Sequence, residues 1–169
     1  NRWKTIMVAG PSQSGKTLSA FVIPILRDVV ELRYNTIAAF PEADMASDKW
    51  DTDFRPTLEE SPDLRDLIPT KGPGSRGGRI RDRVSLGNGV DIKIMSRGGK
   101  DTGKAGFTSP RVHVTEAAGW SHSSETSSEA NPLRQLRARM KGFKRNDPRR
   151  CLIVEGTLTV KDELPWSAR

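Results

Sequence analysis

The segment Gly10-Pro-Ser-Gln-Ser-Gly-Lys-Thr17 constrains the fold of this chain more than any other part of the sequence. An apolar run from Thr5 to Ala9 precedes it, and apolar residues recur at helical spacing from Lys16 to Arg33. A buried strand, a glycine-rich turn and a helix are therefore predicted in direct succession, with a kink at Pro24. In that context the segment matches G-x-x-x-x-G-K-[ST], which predicts a phosphate-binding loop.

Each part of this loop has a role in binding a nucleoside triphosphate. Its backbone N–H groups and the N-terminus of the following helix form a nest for phosphate oxygens. Lys16 is expected to reach the β- and γ-phosphates and Thr17 to place its hydroxyl on Mg²⁺, whereas a Cβ at Gly15 would crowd the phosphates. The candidate ATP-binding residues are Gly10, Pro11, Ser12, Gln13, Ser14, Gly15, Lys16 and Thr17.

A P-loop ATPase also needs a carboxylate near the metal and the attacking water. The run Val112-His-Val-Thr-Glu116, a strand ending in an acid, is the best downstream candidate. Glu116 is predicted to polarise the water and to contribute to the Mg²⁺ site. The hydroxyl of Thr115, where an Asp is usual, would hold Mg²⁺ only weakly or through water. His113 is expected to be packed or hydrogen-bonded rather than catalytic, and two His and one Cys give a zinc site no support.

The remaining patterns predict an α/β fold. Strands alternate with helices, the order typical of a parallel sheet covered by helices, and Gly87-Asn88-Gly89 predicts the tight turn of a β-hairpin. The glycine-rich stretches 69–83 and 96–108 are expected to be loops. The predicted fold class is a P-loop NTPase of the RecA-like (ASCE) type, with a mainly parallel sheet covered by helices, basic loops and a hairpin. The other predicted elements are strands at 35–40, 84–86, 90–95, 111–116 and 151–154, and helices at 43–54 and 131–140.

Composition limits the class of protein. The 169 residues fit one domain, no apolar run is long enough to cross a bilayer, and the first residues lack the basic-then-apolar pattern that predicts a signal peptide. We therefore expect no membrane association and a cytoplasmic location. Cys151, within Cys-Leu-Ile-Val, is expected to be a small buried side chain.

The net charge of +7 is unevenly distributed along the chain. Residues 42–66 carry nine acids against three bases, whereas 71–104 carry nine bases against three acids, and 134–150 carry eight bases against one acid. The two basic stretches favour a polyanionic partner, with phosphate contacts to a DNA duplex preferred over base stacking because few aromatics are interleaved. A solvated charged face is the alternative for each stretch.

Several segments together resemble the large terminase subunits of tailed phages, especially the branch of lambda gpA. Besides the phosphate loop, these segments are the Pro- and Trp-containing run at 40–50, the Pro and Leu-Arg stretch at 55–65, the Asn-Pro-Leu helix with its Arg-containing turn at 131–143, and the hydroxyl-rich segment at 154–159. The sequence departs from the family at Thr115, at Ala118 in place of an acid, and at Leu158 in place of a Pro.

The resemblance implies an ATPase that drives double-stranded DNA into a prohead. Its implied partners are the portal protein, the small terminase subunit and further copies of the chain in a ring, at the portal within the host cytoplasm. It implies coupling through Thr157 and Thr159, and a catalytic cation supplied in trans by Lys104 or Arg97. Residues 1–160 would form the ATPase domain, with 161–169 beginning a linker towards a nuclease domain. No Asp/Glu cluster suited to a two-metal nuclease follows the last predicted strand, so no nuclease activity is expected here.

Three other functions remain open from the residues alone. The nearest is a helicase-like or recombination ATPase, which would need a second RecA-like lobe. A small-molecule kinase would use the Arg-rich segment from Arg76 to Arg83 as a lid. A DNA-binding module with nucleotide as a structural ligand is the third. Phosphate release with and without duplex DNA separates these classes.

Overall fold

The computed structural model describes residues 4–80, 82–96, 107–120 and 132–157. Within them a six-stranded sheet has the order β1-β6-β5-β2-β4-β3, and every neighbouring pair is parallel except β3 and β4. The strands are β1 Thr5–Gly10, β2 Thr36–Phe40, β3 Arg83–Ser85, β4 Asp91–Ser96, β5 Arg111–Val114 and β6 Cys151–Thr157. The predicted α/β class, mainly parallel sheet and β-hairpin are confirmed.

Helices cover both faces of the sheet. The α-helices are α1 Ile23–Val30, α2 Ala43–Lys49, α3 Arg55–Glu60 and α4 Pro132–Ala138, with short 3₁₀ helices at Arg65–Leu67 and Ala117–Trp120. The first three α-helices pack with Ala38 and Phe40 on one face. Leu136 of α4 packs with Ile37 and Ala39 on the other. Residues that alternate along β2 thus belong to opposite cores, as expected for a strand buried on both faces.

Two helices begin or continue in the wider π form where the sequence predicts an ordinary helix. Thr17–Val22 is a π-helix leading into α1, and Trp50–Phe54 is a π-helix between α2 and α3. In both cases a Pro lies in the first turn of the α-helix that follows. Because Pro lacks an N–H and its ring clashes with the preceding turn, a wider turn accommodates it. The kink predicted at Pro24 is therefore a change of helix type just before it.

Aromatic side chains hold the π-helix Trp50–Phe54 to the sheet. Phe21 lies edge-on to Phe40 at 5.3 Å and to Phe54 at 6.1 Å, and Trp50 stacks on Phe54 at 5.8 Å. Such pairs add about 0.5–1.5 kcal/mol each to the burial of their surface. Trp50 Nε1 also donates to the carbonyl of Gly74 at 2.8 Å. The glycine-rich loop is therefore packed on the helices here, which its composition does not indicate.

A buried polar cluster links α1 to β5. Asp28 Oδ2 lies 2.8 Å from His113 Nε2, and Asp28 Oδ1 lies 3.5 Å from Arg111 Nε. Asp28, His113 and Arg111 are all buried. As expected from the sequence, His113 is a packed, hydrogen-bonded residue, and Cys151 is a buried thiol.

We expect Asp28→Ala to destabilise the fold by about 3–5 kcal/mol, because it leaves the Arg111 charge buried without its counter-ion. Glu31→Ala is the matched control on the same helical segment. Its partner Arg27 lies at 3.2 Å with both side chains 64% exposed, so the loss should stay below about 1 kcal/mol. Urea unfolding of both variants measures the difference. Equal, small losses would show that the cluster contributes little.

Candidate active site

The phosphate loop connects β1 to the π-helix at Thr17. Two of its residues have positive φ angles, Gln13 at 57° and Gly15 at 73°. Left-handed residues of this kind turn successive N–H groups towards the same side, which is how a backbone nest for anions forms. No protein atom lies within 4 Å of a Cβ built on Gly15, so within the protein it is the backbone angle that requires glycine there.

The side chains of the loop are folded back on its own backbone. Lys16 Nζ donates to the carbonyl of Pro11 at 2.7 Å, and Ser14 Oγ donates to the same carbonyl at 2.9 Å. Lys16 therefore lies across the loop, with its ammonium donating one hydrogen bond to a neutral acceptor. To bind a phosphate it would exchange this contact for a charge-assisted one, which is roughly twice as strong. Thr17, the candidate Mg²⁺ ligand, is partly buried at the start of the helix.

β5 ends at Val114, so the strand predicted to run to Glu116 is two residues shorter than expected. Glu116 nevertheless lies at the same edge of the sheet as the phosphate loop, because the carboxyl ends of parallel strands meet at one edge. Its φ of 49° is left-handed, which is strained for a residue with a long side chain. The carbonyl of Glu116 accepts from Gly119 N at 2.9 Å and so closes the 3₁₀ turn after the strand. Thr115 is anchored on both sides: its N–H donates to Ala39 O at 3.1 Å, and its carbonyl accepts from Trp120 Nε1 at 3.0 Å.

Strand β6 lies between β1 and β5 and brings the two loops together. Its register pairs Thr157 with Gly10, the first residue of the phosphate loop, and Val154 with Val114. β1 and β5 are two strand spacings apart, about 10 Å. Gly156 of β6 allows the turn that begins at Ala117 to pack closely against the strand, because a Cβ at Gly156 would lie 3.0 Å from Ala117 N. Thr157, a predicted coupling residue, is thus a direct neighbour of the predicted ATP site.

Glu155 is a further residue at this edge that is not among the site residues predicted from the sequence. This side chain is fully buried, and its Oε1 accepts a hydrogen bond from the Thr115 hydroxyl. The available signal was an acid at the carboxyl end of the apolar strand Cys-Leu-Ile-Val, the same pattern that singled out Glu116. The Thr115 hydroxyl, considered from the sequence as a weak magnesium ligand, is engaged with Glu155.

Three predicted site residues lie outside the described residues. They are Arg97 and Lys104, the candidate trans-acting cations, and Thr159, the second coupling residue. Within the segments that are described, no three His, Cys, Asp or Glu side chains form a cluster suited to a metal ion. The oxygen donors at this edge, a hydroxyl and carboxylates, are nevertheless of the type that Mg²⁺ takes alongside the phosphates of its nucleotide.

Comparison with known families decides the assignment. The family described as phage terminase large subunit gpA, ATPase domain, matches residues 1–168. The chain belongs to this family. No curated protein and no solved structure matches this chain. The resemblance inferred from the motifs is confirmed, and the match covers nearly the whole chain.

Membership in the gpA ATPase-domain family gives the chain its general function. It is the ATPase domain of a phage terminase, with nucleotide use in phage DNA packaging. The gpA-type domain thus has its phosphate-loop motif, the acid that follows β5 and the hydroxyl at the end of β6 at one edge of the sheet. In the described part of the chain, none of the helices has the length and apolar character needed to cross a bilayer.

Proposed function

We propose that this chain hydrolyses Mg-ATP at the Gly10–Thr17 loop and uses the energy to move double-stranded DNA into a prohead. The supporting observation is that Glu116, Thr157 and the loop meet at one sheet edge, with Thr157 paired to Gly10. On this proposal the chain acts at the prohead portal in the host cytoplasm, as a ring of identical subunits with the portal protein and the small terminase subunit as partners.

The residues of the site divide the work of binding and hydrolysis in this proposal. The loop N–H groups bind the phosphate oxygens, and Lys16 leaves the Pro11 carbonyl to neutralise the β- and γ-phosphates. Glu116 orients the attacking water in line with the γ-phosphate and accepts a proton from that water. The hydroxyl of Thr17 and the carboxylate of Glu116 would hold Mg²⁺, which supplies charge neutralisation on the phosphates when bound.

Two further tasks follow from the family resemblance. Thr157 and Thr159 would sense whether the γ-phosphate is present, since the end of β6 lies beside the loop. A second cation is needed because the transition state spreads negative charge over more oxygens than one lysine neutralises. Lys104 or Arg97 of a neighbouring subunit is our candidate for it.

The ion pairs among the described residues favour the 134–150 stretch over the 71–104 stretch as the DNA-binding surface. Cations of the 71–104 stretch pair with acids: Arg76 with Glu59 at 3.8 Å and Arg79 with Asp44 at 3.1 Å, and Arg83 and Lys93 also have acidic partners. The acidic stretch at 42–66 thus neutralises part of this positive charge. This supports the alternative that the 71–104 stretch is a solvated charged face.

The second stretch has cations that remain available. The exposed side chains Arg137, Lys141, Lys144 and Arg145 have no ion pair with any residue that the structure describes. Arg149 is different, because it binds Asp147 at 2.7 Å; this hydrogen bond is the main reason that the pKa of Asp147 falls to about 2. We assign duplex binding to these four available cations.

The test is a titration of this chain with linear duplex DNA, in which binding and phosphate release from Mg-ATP are followed together. We expect sequence-independent binding that weakens steeply with salt, and faster phosphate release when duplex is present. Replacing Lys141, Lys144 and Arg145 by Ala should lower the slope of log K against log salt by up to about 3, at roughly 0.9 per lost phosphate contact.

The matched control replaces Arg76, Arg79 and Arg83, which have acidic partners, and should change the slope little. A slope lost equally in both triple variants would argue for a diffuse charge effect. Binding that does not vary between low and physiological salt would reject the duplex-binding proposal. Transfer of phosphate to an acceptor other than water would indicate a kinase.

A further inference from the structure

Resting on the proposed function, we propose that Glu155, held by Thr115, is a positioning residue for the Mg²⁺ of bound Mg-ATP. Its carboxylate supplies from β6 the negative charge that Thr115 cannot supply from β5. The assignment depends on three observations: the burial of the carboxylate, its oxygen without a hydrogen-bond partner among the described residues, and its pairing with β1 two residues before the phosphate loop.

The Glu155 carboxylate is incompletely compensated. The residue is 0% exposed, and Oε1 accepts from the Thr115 hydroxyl. Among the described residues, neither a hydrogen-bond donor for Oε2 nor a cation paired with this carboxylate is found. An ionised carboxylate in such surroundings is strongly unfavourable unless a positive charge or a donor reaches it. A buried, ionised Glu155 carboxylate becomes favourable when a cation and its ordered water lie close to it.

The position of Glu155 points towards the nucleotide. Side chains alternate along a strand, so Glu155 lies on the same face of β6 as Ile153, which lines a cleft with Ile23 and Pro24 beside α1. Glu155 is paired with Val8 of β1, two residues before Gly10. β6 also packs against the π-helix at Thr17–Val22. The carboxylate therefore lies on the face of β6 that the helical segment following the phosphate loop covers.

The chemistry of this position suits magnesium. Mg²⁺ keeps several waters and is held in nucleotide sites by one or two carboxylates together with the phosphates. A buried carboxylate that accepts from a metal-bound water orients the metal without replacing its water. The Thr115 hydroxyl fixes one oxygen of Glu155 and leaves the other for this contact. This division of labour also leaves Glu116 available to act on the attacking water.

The experiment compares nucleotide binding with and without the metal. A fluorescent ATP analogue is titrated onto the wild-type chain and Glu155→Gln, once in excess Mg²⁺ and once in EDTA. We expect the affinity gained from Mg²⁺ to fall by about 10- to 100-fold in the variant, as for loss of an outer-shell metal partner, while affinity in EDTA is unchanged. Glu60→Gln, a substitution of an exposed glutamate, is the matched control and should behave as wild type.

A second variant moves the carboxylate instead of removing it. Thr115→Asp combined with Glu155→Gln should recover most of the magnesium dependence, because the charge returns from the adjacent strand. A purely structural role for Glu155 predicts no such recovery. If Glu155→Gln does not fold, Thr115→Val takes its place: losing the hydroxyl that orients the carboxylate should reduce the gain from Mg²⁺, and an unchanged gain would overturn the proposal.

The outcomes separate this inference from the proposed function. A wild-type chain that binds no nucleotide in either buffer overturns both. A wild-type chain that binds Mg-ATP, together with a folded Glu155→Gln variant of equal magnesium dependence, overturns only the role of Glu155. Recovery in the double variant supports the role of the carboxylate in positioning the metal.

Discussion

Lys16→Ala should abolish ATP hydrolysis and weaken Mg-ATP binding without unfolding the chain. Lys16 is the one cation within the phosphate loop, and no other side chain there can neutralise the charge that develops on the γ-phosphate. Its present contact, to the carbonyl of Pro11, is a local hydrogen bond at a surface loop, so its loss should cost the fold little. Phosphate release measures turnover, equilibrium titration measures binding, and circular dichroism confirms that the variant is folded.

Lys49→Ala is a suitable control for this variant. Lys49 is also a partly exposed lysine in a helical segment, and its partner is Asp53 at 3.2 Å. Its removal should leave hydrolysis intact. Lys16→Arg is expected to fail like Lys16→Ala, because a branched guanidinium does not replace a compact ammonium inside a tight loop. Unchanged turnover in folded Lys16→Ala would remove the loop from the catalytic site.

Glu116→Gln should slow hydrolysis by at least about a hundredfold while leaving Mg-ATP binding largely intact. The amide keeps the size and polarity of the side chain but cannot accept the proton of the attacking water, and general-base catalysis contributes about 10²–10⁴ in rate. A hundredfold loss corresponds to about 2.7 kcal/mol of transition-state stabilisation. Single-turnover kinetics with saturating Mg-ATP measures the chemical step separately from binding.

The outcome for Glu116→Gln distinguishes two roles for this residue. Slow hydrolysis with normal affinity supports a base. Loss of affinity with little change in the bound-state rate would remove the base and leave Glu116 only a metal-binding or structural role. Glu31→Gln, in an exposed pair with Arg27, controls for the loss of one carboxylate from the protein surface.

The sequence predicts the local elements well because their signals are local. The apolar runs at β1, β2 and β6, and the glycine turn of the hairpin, each lie within about ten residues of sequence. The π-helices were not predicted, because a Pro in a helical pattern indicates a disturbance but not its form. The order of the strands also depends on contacts far apart in sequence.

The candidate site likewise contains parts that local sequence patterns predict and parts that depend on contacts far apart in sequence. The phosphate loop and Glu116 were identified from local patterns, and the roles assigned to them stay predictions. The bond between Thr115 and Glu155 joins residues 40 positions apart, so neither residue alone indicates it. Similarly, the pairing of Arg79 with Asp44 is invisible in a charge count, which assigns the acidic and basic stretches to separate regions.

The left-handed backbone of Glu116 has a consequence for any attempt to improve this domain by laboratory evolution. Glycine adopts a φ of 49° without the steric cost that glutamate bears, and asparagine tolerates it better than most residues. A library screened for heat resistance or yield would therefore enrich Gly or Asn at position 116, whereas one screened for turnover would retain Glu. The two screens would select opposite residues at this position, and the stabilised proteins would be those that had lost the base.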